Sequence, residues 1–495
     1  MPSVRKTKTA SGATAVQVVR YEHRKVVVLK HVGSARSAEE ITALTESAIA
    51  WIERATTQRS FFPKASRRVL SLATTRYRGV THAFAHTVLS DIAARCGFTA
   101  LRSSLLLDLA IMRIVEPCSK LRSIALLQRY FGISYAERSV YRTLPRLLAC
   151  KPTIERLAIA FARRELSCDL SFVLYDVTTL YFEAFTADDL RVPGFSKDQK
   201  PQQPQIVVGL LVTPQGFPLG SEVFRGNTFE GKTMLPVLEA FRAAHRVTTC
   251  TVVADAGMLS FENLVELRRR GYSYIVGARM ANSSSALIER ACTALGQRDE
   301  ATVRIPTEHG DLICSFSAVR YRKDQHELNR QITRAKALVA AKEPGRRARF
   351  VTARGDSYAL HDERIARART LLGIKGYYTS IPKERTTDAE IIAHYRGLWH
   401  VEQAFRMSKS DLATRPIFHH TEDAIRAHVL ICFLALAIGK YLEITTGLSL
   451  RRIVDILWSI TDAQLVDATT GEVFTLRSEP DESVRMLLKQ LRLSY

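Results

Sequence analysis

Apolar positions recur along this chain in three successive rhythms. Between about residues 86 and 165 they fall at helical spacing (Leu89, Ile92, Leu105, Ile111, Leu121, Ile124, Leu127, Leu144 and Leu147), which predicts an almost wholly helical stretch broken at Pro117 and Gly132. Around Gly132 the pattern is helix, short turn, helix, over 121–131 and 135–148, as in a helix-turn-helix, and the second helix would offer Arg138, Ser139, Tyr141, Arg142 and Arg146 to solvent or to DNA. From Leu170 the rhythm changes to short unbroken apolar runs at 172–175, 206–212, 218–224, 251–254 and 274–276, the mark of strands buried on both faces. Helical patterns lie at 234–241 and after Ser260, the latter ending at Gly271. Three strands, helix, strand, helix, strand predicts an antiparallel meander followed by parallel strands in one mixed sheet. Residues 283–372 then lose this rhythm. They carry strand-like pieces at 302–305, 314–319 and 350–351 and a basic helical stretch at 326–341, and read as an insertion with its own small fold.

The remaining pieces are shorter. Residues 1–20 are polar and basic and are expected to be unstructured; 21–31 reads as a strand through Val26-Val27-Val28-Leu29, and 37–55 as a helix with Ile41, Leu44, Ala48 and Ile52 on one face. A basic loop surrounds Lys64-Ala65-Ser66-Arg67-Arg68. Strand returns at 376–381, a helix covers 387–409, an apolar helix follows at 425–442, then a short helix near 452–460 and a hairpin at Thr469-Thr470-Gly471. These pieces divide the chain into a small N-terminal α/β unit (1–85), a helical DNA-binding domain (86–168), a core in two parts (169–282 and 373–412), the insertion (283–372) and a C-terminal helical region (413–495).

Composition narrows the possibilities. A chain of 495 residues is too long for a single core. No uninterrupted apolar run reaches the roughly 20 residues that span a bilayer, so no membrane is expected, and the cytoplasm, in association with the nucleoid, is the expected location. Eight cysteines are scattered without a CxxC pair, which argues against a disulfide framework or a zinc site. The net charge is +22, and it is uneven: residues 1–170 hold 28 Lys and Arg against 12 Asp and Glu. An excess of that kind fits a polyanionic partner, most commonly nucleic acid.

Candidate chemistry gathers on the 387–409 stretch. Thr387 with Glu390 reads as a capping box. At about 100° per residue, Ile391, Tyr395, Leu398, Glu402, Phe405 and Lys409 share one face. Glu402 then sits on an apolar stripe, where a charge needs a partner. Arg406, one turn on, is one candidate; a metal ion is the other. Asp176 and Asp255 each end a buried strand in the same layer. An Asp there ordinarily caps or turns a strand, but three carboxylates in one layer repel one another and call for cations. Oxygen ligands without His or Cys suit Mg²⁺ or Mn²⁺, and a basic chain with such a site suggests phosphodiester chemistry on two ions about 3.5–4 Å apart. Trp399 reads as core, and His419-His420 as exposed polar residues because neighbours in sequence point apart. Lys197 and Lys200 read either as phosphate contacts or as a solvated loop.

Several stretches together carry a resemblance: Tyr175-Asp176-Val177-Thr178-Thr179-Leu180-Tyr181-Phe182, Gly194-Phe195-Ser196-Lys197-Asp198 running into Pro204-Gln205-Ile206-Val207, Gly226-Asn227-Thr228, and Ala254-Asp255-Ala256-Gly257. With Tyr395, Glu402 and Lys409 they resemble the DDE transposases of bacterial insertion sequences. The closer resemblance is to the branch with an inserted domain before the Glu and a Tyr, Arg, Glu, Lys signature spaced by two, three and six residues. The Arg position is Leu398 here, with Arg396 and Arg406 as neighbouring basic residues. The resemblance implies an α/β, ribonuclease-H-like mixed sheet with flanking helices, interrupted by the insertion. It implies that Asp176 bridges two Mg²⁺ or Mn²⁺ ions, that Asp255 holds one and Glu402 the other, and that Tyr395 and Lys409 contact phosphates. The implied partners are double-stranded DNA, as terminal inverted repeats and target, and a second copy of the chain on the paired ends. The implied activity is end cleavage and strand transfer. A metal-dependent nuclease on the same fold, and a DNA-binding regulator that has lost catalysis, are the alternatives.

Overall fold

The computed structural model describes residues 2–22, 25–55, 74–183, 186–196, 200–245, 247, 250–258, 260–341, 349–354, 357–468 and 470–494. Lys197 and the basic loop at Lys64–Arg68 lie outside them. The chain forms two compact units, one of residues 1–88, 124–134 and 452–495, the other of residues 89–123 and 135–451.

In the smaller unit the N-terminal residues correct the expectation of an unstructured start. Ser3–Lys8, Thr14–Glu22 and Lys25–Ala35 form an antiparallel sheet, and the helix Ala38–Ala55 packs on it. Val16, Val18, Ala35, Leu44 and Ala48 make the core between them. The alternating apolar positions at 16 and 18 acquire a face to bury only once the helix covers it, which a reading of residues 1–20 by themselves overlooks. A second sheet is assembled from opposite ends of the chain. Asp462–Asp467 lies between Thr75–Thr81 and Val473–Arg477, all antiparallel. The hairpin expected at Thr470-Gly471 is thus present, and it pairs with an N-terminal strand.

The larger unit is built on one mixed sheet of eight strands: β1 (Phe172–Tyr181), β2 (Gln205–Val212), β3 (Pro218–Arg225), β4 (Thr251–Ala254), β5 (Ser273–Ala278), β6 (Thr302–Thr307), β7 (Gly310–Phe316) and β8 (Ile374–Thr379), in the order β6-β7-β8-β5-β4-β1-β2-β3. β1, β2 and β3 form the antiparallel meander, and β1, β4 and β5 run parallel through helical connections, as the alternation of runs predicts. Every residue of β2 is buried, which is why it reads as an unbroken apolar run. The helices of this unit include α1 (Met234–His245), α2 (Phe261–Arg269), α3 (Ser285–Leu295), α4 (Ala318–Ala341), α5 (Asp388–Arg396), α6 (Trp399–Ser410) and α7 (Glu422–Thr446).

Three expectations change here. The segment 283–372 is only partly a fold of its own: β7 pairs antiparallel with β8 and β6 antiparallel with β7, extending the main sheet, while Leu328, Ile332, Phe350, Ile365 and Leu372 form a separate small core around α4. Which sheet edge a hairpin joins is a non-local choice that its alternation does not record. The helix expected at 135–148 is α-helical only over Glu137–Thr143 and tightens to a 3₁₀ turn over Leu144–Cys150, where Pro145 removes a backbone donor. The apolar helix at 425–442 is longer than its richest run: α7 has 25 residues and is long and apolar enough to cross a membrane, yet 89% of its most apolar window is buried in protein. It is a core helix.

Candidate active site

The parallel pairing of β1 and β4 sets Tyr175 opposite Ala254. The next residue on each is an aspartate, so Asp176 and Asp255 stand at one level on neighbouring strands. Side chains alternate along a strand. Tyr175 therefore points the other way, into the core, where its hydroxyl donates to Thr233 Oγ1 at 2.9 Å. Asp255 is exposed just past the end of β4, as expected. Asp176, expected at a strand end, instead lies within β1, which runs on to Tyr181 because β2 continues to pair with it.

The 387–409 stretch is two helices, not one. The capping box of Thr387 and Glu390 is present and starts α5. At Gly397 and Leu398 the hydrogen bonds tighten, Leu398 N–H donating to Tyr395 O and His400 N–H to Gly397 O, and α6 begins afresh. The added rotation separates residues that a continuous helix would align. Tyr395, Leu398 and Phe405 are buried as expected, while Glu402 is exposed. It lies in the first turn of α6, where the helix dipole favours a carboxylate, and it makes no ion pair with Arg406. Both the buried carboxylate and its Arg406 partner are thereby corrected.

Asp176, Asp255 and Glu402 nonetheless line one cavity of about 490 Å³, together with Lys375, Tyr395, Arg396, Leu398, Trp399 and Val401. The Tyr395 hydroxyl donates to Asp255 Oδ1 at 2.9 Å. Burial, and then the charge of Asp255, push that hydroxyl well above the ordinary tyrosine range. The Lys375 Nζ lies 4.5 Å from the Tyr395 ring centroid. Burial and the neighbouring Arg320 and Arg396 lower its proton affinity, against the pull of Asp255 and Glu402. A second cavity of about 400 Å³ shares Asp255, Lys375 and Tyr395 with the first and is walled by Arg320 and Gln331 of α4 and by Arg349.

Of the other sequence candidates, Lys409 lines a small pocket with Thr178, two residues along β1 from Asp176, and with Phe405, Val429 and Phe433. Arg406 and Arg142 are exposed and line neither cavity. Trp399, expected in the core, is 48% exposed on the cavity wall, because the break at Gly397 turns it outward. His419, expected at the surface, is buried, its ring 5.6 Å from that of His428. Lys375 was missed because the strand expected at 376–381 begins at Ile374; a lone charge in the apolar run Ile374-Lys375-Gly376-Tyr377-Tyr378 was the available signal.

The donor set is chemically suited to a hard cation, since three carboxylates and no imidazole or thiolate line the cavity. Among the described residues no three acidic, His or Cys groups are gathered tightly enough to hold an ion by themselves.

The sequence profile of a family described as the transposase DDE domain matches residues 169–438. Among solved structures the chain is similar to a piggyBac transposase, seen by cryo-EM as a synaptic complex with hairpin DNA, at 9% identity and a TM-score of 0.38, over 71% of this chain and 68% of that one. No curated protein matches it. The matched region is more than half of the chain and contains β1, β4, α5 and α6 with all three cavity carboxylates: the chain belongs to the transposase DDE domain family.

Proposed function

We propose that the chain is a DNA transposase that cuts the ends of an insertion sequence and joins them to target DNA by metal-dependent phosphoryl transfer. The observation that carries this reading is the convergence of Asp176, Asp255 and Glu402 on one cavity inside the matched region. The strand order β3-β2-β1-β4-β5 supports a ribonuclease-H-like core. In this reading Asp176, Asp255 and Glu402 would hold two Mg²⁺ or Mn²⁺ ions, with Asp176 shared. Bound cations supply Lewis-acid polarisation of a phosphodiester and a competent nucleophile at neutral pH.

The chain's own groups have definite tasks in the proposal. Tyr395 orients Asp255 through its hydrogen bond to Oδ1. Trp399 offers an exposed ring to a nucleotide at the cavity wall. Arg320 and Arg349, in the adjoining cavity, extend a positive path from the site along the segment 283–372. Recognition of terminal inverted repeats is assigned to the basic residues of 1–165, with Arg142 among the contacts, and two copies of the chain hold paired ends. Lys197, Lys409 and Arg406 remain candidate DNA contacts, and the cytoplasm, at the nucleoid, is the proposed location.

The test uses the full chain, Mg²⁺, and a duplex carrying the inverted repeats that flank the gene, with Glu402→Gln and Asp176→Asn as controls. Release of a 3′-hydroxyl end and its joining to a plasmid, both lost in the controls, is the expected result. Cutting without joining would indicate a nuclease, and binding without cutting a regulator.

A further inference from the structure

Lys375 sits on the wall shared by the two cavities, beside Asp255 and Tyr395. Its position is built. It is the second residue of β8, half-buried, and its Nζ is flanked by the rings of Tyr395 at 4.5 Å and Tyr377 at 5.7 Å. Among the described residues it makes no hydrogen bond and no ion pair. A half-buried ammonium flanked by aromatic faces and opening on the cavity is placed to meet an anion that enters it. Asp255 and Glu402 lie near enough to act on its charge without bonding to it.

The cavity presents a converse problem to its ligand. A wall of three carboxylates repels a phosphodiester, so a polyanionic strand needs a fixed cation at the same place. Two cations line this cavity, Lys375 and Arg396. Arg396 ends α5 and is exposed. Lys375 is confined by two rings and faces both chambers, which makes it the pre-oriented one of the pair.

We infer that Lys375 is a substrate-contacting residue whose ammonium binds a non-bridging oxygen of a phosphodiester where a DNA strand passes from the carboxylate cavity into the adjoining one. The inference rests on the reading of the cavity as a DNA-processing site. The contact is an ammonium–phosphate hydrogen bond, and no covalent step is involved.

The test is a walk of neutral methylphosphonate linkages along the end duplex, with the full-length wild type, Lys375→Met and Lys375→Arg. Single-turnover cleavage in Mg²⁺ should fall about 100-fold in Lys375→Met and recover largely in Lys375→Arg. The salt dependence of binding, measured in Ca²⁺, should lose about 0.9 from its log–log slope in Lys375→Met, as for one phosphate contact. At one linkage the neutral substitution should weaken wild-type binding while leaving Lys375→Met unaffected. Penalties that add at every linkage, or Lys375→Met cleavage within a few-fold of wild type, would overturn the inference. The binding walk requires no cleavage, so it stands apart from the wider reading: a wild type that shows the coupled linkage but never cuts refutes the enzyme and keeps the contact. If Lys375→Met does not fold, as judged by thermal unfolding, Lys375→Gln replaces it in the same walk.

Discussion

Gly277 has no side chain, and Tyr395 uses the space. A Cβ at this position of β5 would lie 2.3 Å from the Tyr395 hydroxyl oxygen, so only glycine lets the ring lie against the strand and reach Asp255. Gly277→Ala should therefore displace Tyr395 and destabilise the chain by roughly 1–3 kcal/mol, the range for overpacking. Tyr395→Phe keeps the ring and removes the hydrogen bond, a loss of about 1 kcal/mol. Both should lower cleavage, Tyr395→Phe with the smaller change in thermal unfolding; a Tyr395→Phe enzyme that cuts normally would show that Asp255 needs no such orientation. Glu402→Gln makes a sharper separation. Because Glu402 is exposed and not paired with Arg406, the substitution should shift stability by no more than about 0.5 kcal/mol while abolishing cleavage, and Arg406→Ala should be near neutral. At this scale the sequence pointed to Asp176 and Asp255 through the apolar runs they follow, and to Glu402 through a helical register that the break at Gly397 alters. Lys375 and Trp399 were not legible, because their roles depend on which strand lies beside β8 and on a helix break that one glycine does not announce.

Among the elements, Arg304 shows how a strand from outside the predicted core comes to support α5, the helix that carries Tyr395. It is nearly buried on β6, and its guanidinium donates to Asp388 Oδ1 at 2.7 Å, Asp311 Oδ2 at 3.0 Å, Ile381 O at 3.0 Å and Thr386 O at 3.3 Å. The edge hairpin is thus tied to the turn that starts α5. Arg304→Met should destabilise the larger unit by roughly 3–5 kcal/mol, since it strands a largely buried Asp388, and Arg304→Lys should rescue little, lacking the planar fork that serves several acceptors. Thr387→Ala, which opens the adjacent capping box, should lose about 1 kcal/mol. The two sites are neighbours, so the double variant should depart from additivity; strict additivity in urea unfolding would mean that the Arg304 network does not set the start of α5. The contrast explains what sequence pattern could reach. The capping box is local, three residues apart, and was read correctly, as was the alternation giving β1 to β5. The Arg304 network joins residues 84 positions apart and has no local signature, and the same is true of the placement of β6 and β7.

Over the whole molecule, distant segments are joined twice in ways that change how it should be tested. The pairing of Thr75–Thr81 with Asp462–Asp467 means that removing the basic N-terminal third also strips a sheet of its edge strand, so the DNA-binding contribution of that region is better measured by charge substitution than by truncation. The second junction is a buried basic cluster in the larger unit. Lys120 Nζ lies 3.2 Å from His428 Nδ1, His428 Nε2 lies 2.8 Å from Thr414 O, and Arg113 donates to Ala413 O and Cys118 O. His419 and Cys432 complete the surroundings, with His420 contributing at longer range. No carboxylate is among the groups acting on Lys120, His419 or His428. Burial, with Arg113 adding, lowers Lys120 from 10.5 to about 7; burial, then Lys120 and Arg113, lowers His419 from 6.5 to about 4 and pushes His428 well below its usual value. Each group of the cluster binds its proton less readily when folded, so the cluster adds a rise in stability with pH between about 4 and 6.5 and again above about 7, until buried thiols such as Cys250 and Cys314, whose pKa burial raises, oppose it above about pH 9. The full shift of Lys120 corresponds to a change on the order of 5 kcal/mol. Lys120→Met should remove the rise above pH 7 and leave a smaller histidine limb below pH 6.5, since burial and Arg113 still lower His419 and His428 once the Lys120 charge is gone. Urea unfolding from pH 5 to 8, below the range in which unfolded thiols ionise, followed by Trp399 fluorescence in a Trp51→Phe, Trp458→Phe background, reads the larger unit alone. A wild-type profile flat between pH 7 and 8, or a Lys120→Met profile with the original slope there, would mean that Lys120 keeps an ordinary proton affinity and that an anion balances the cluster.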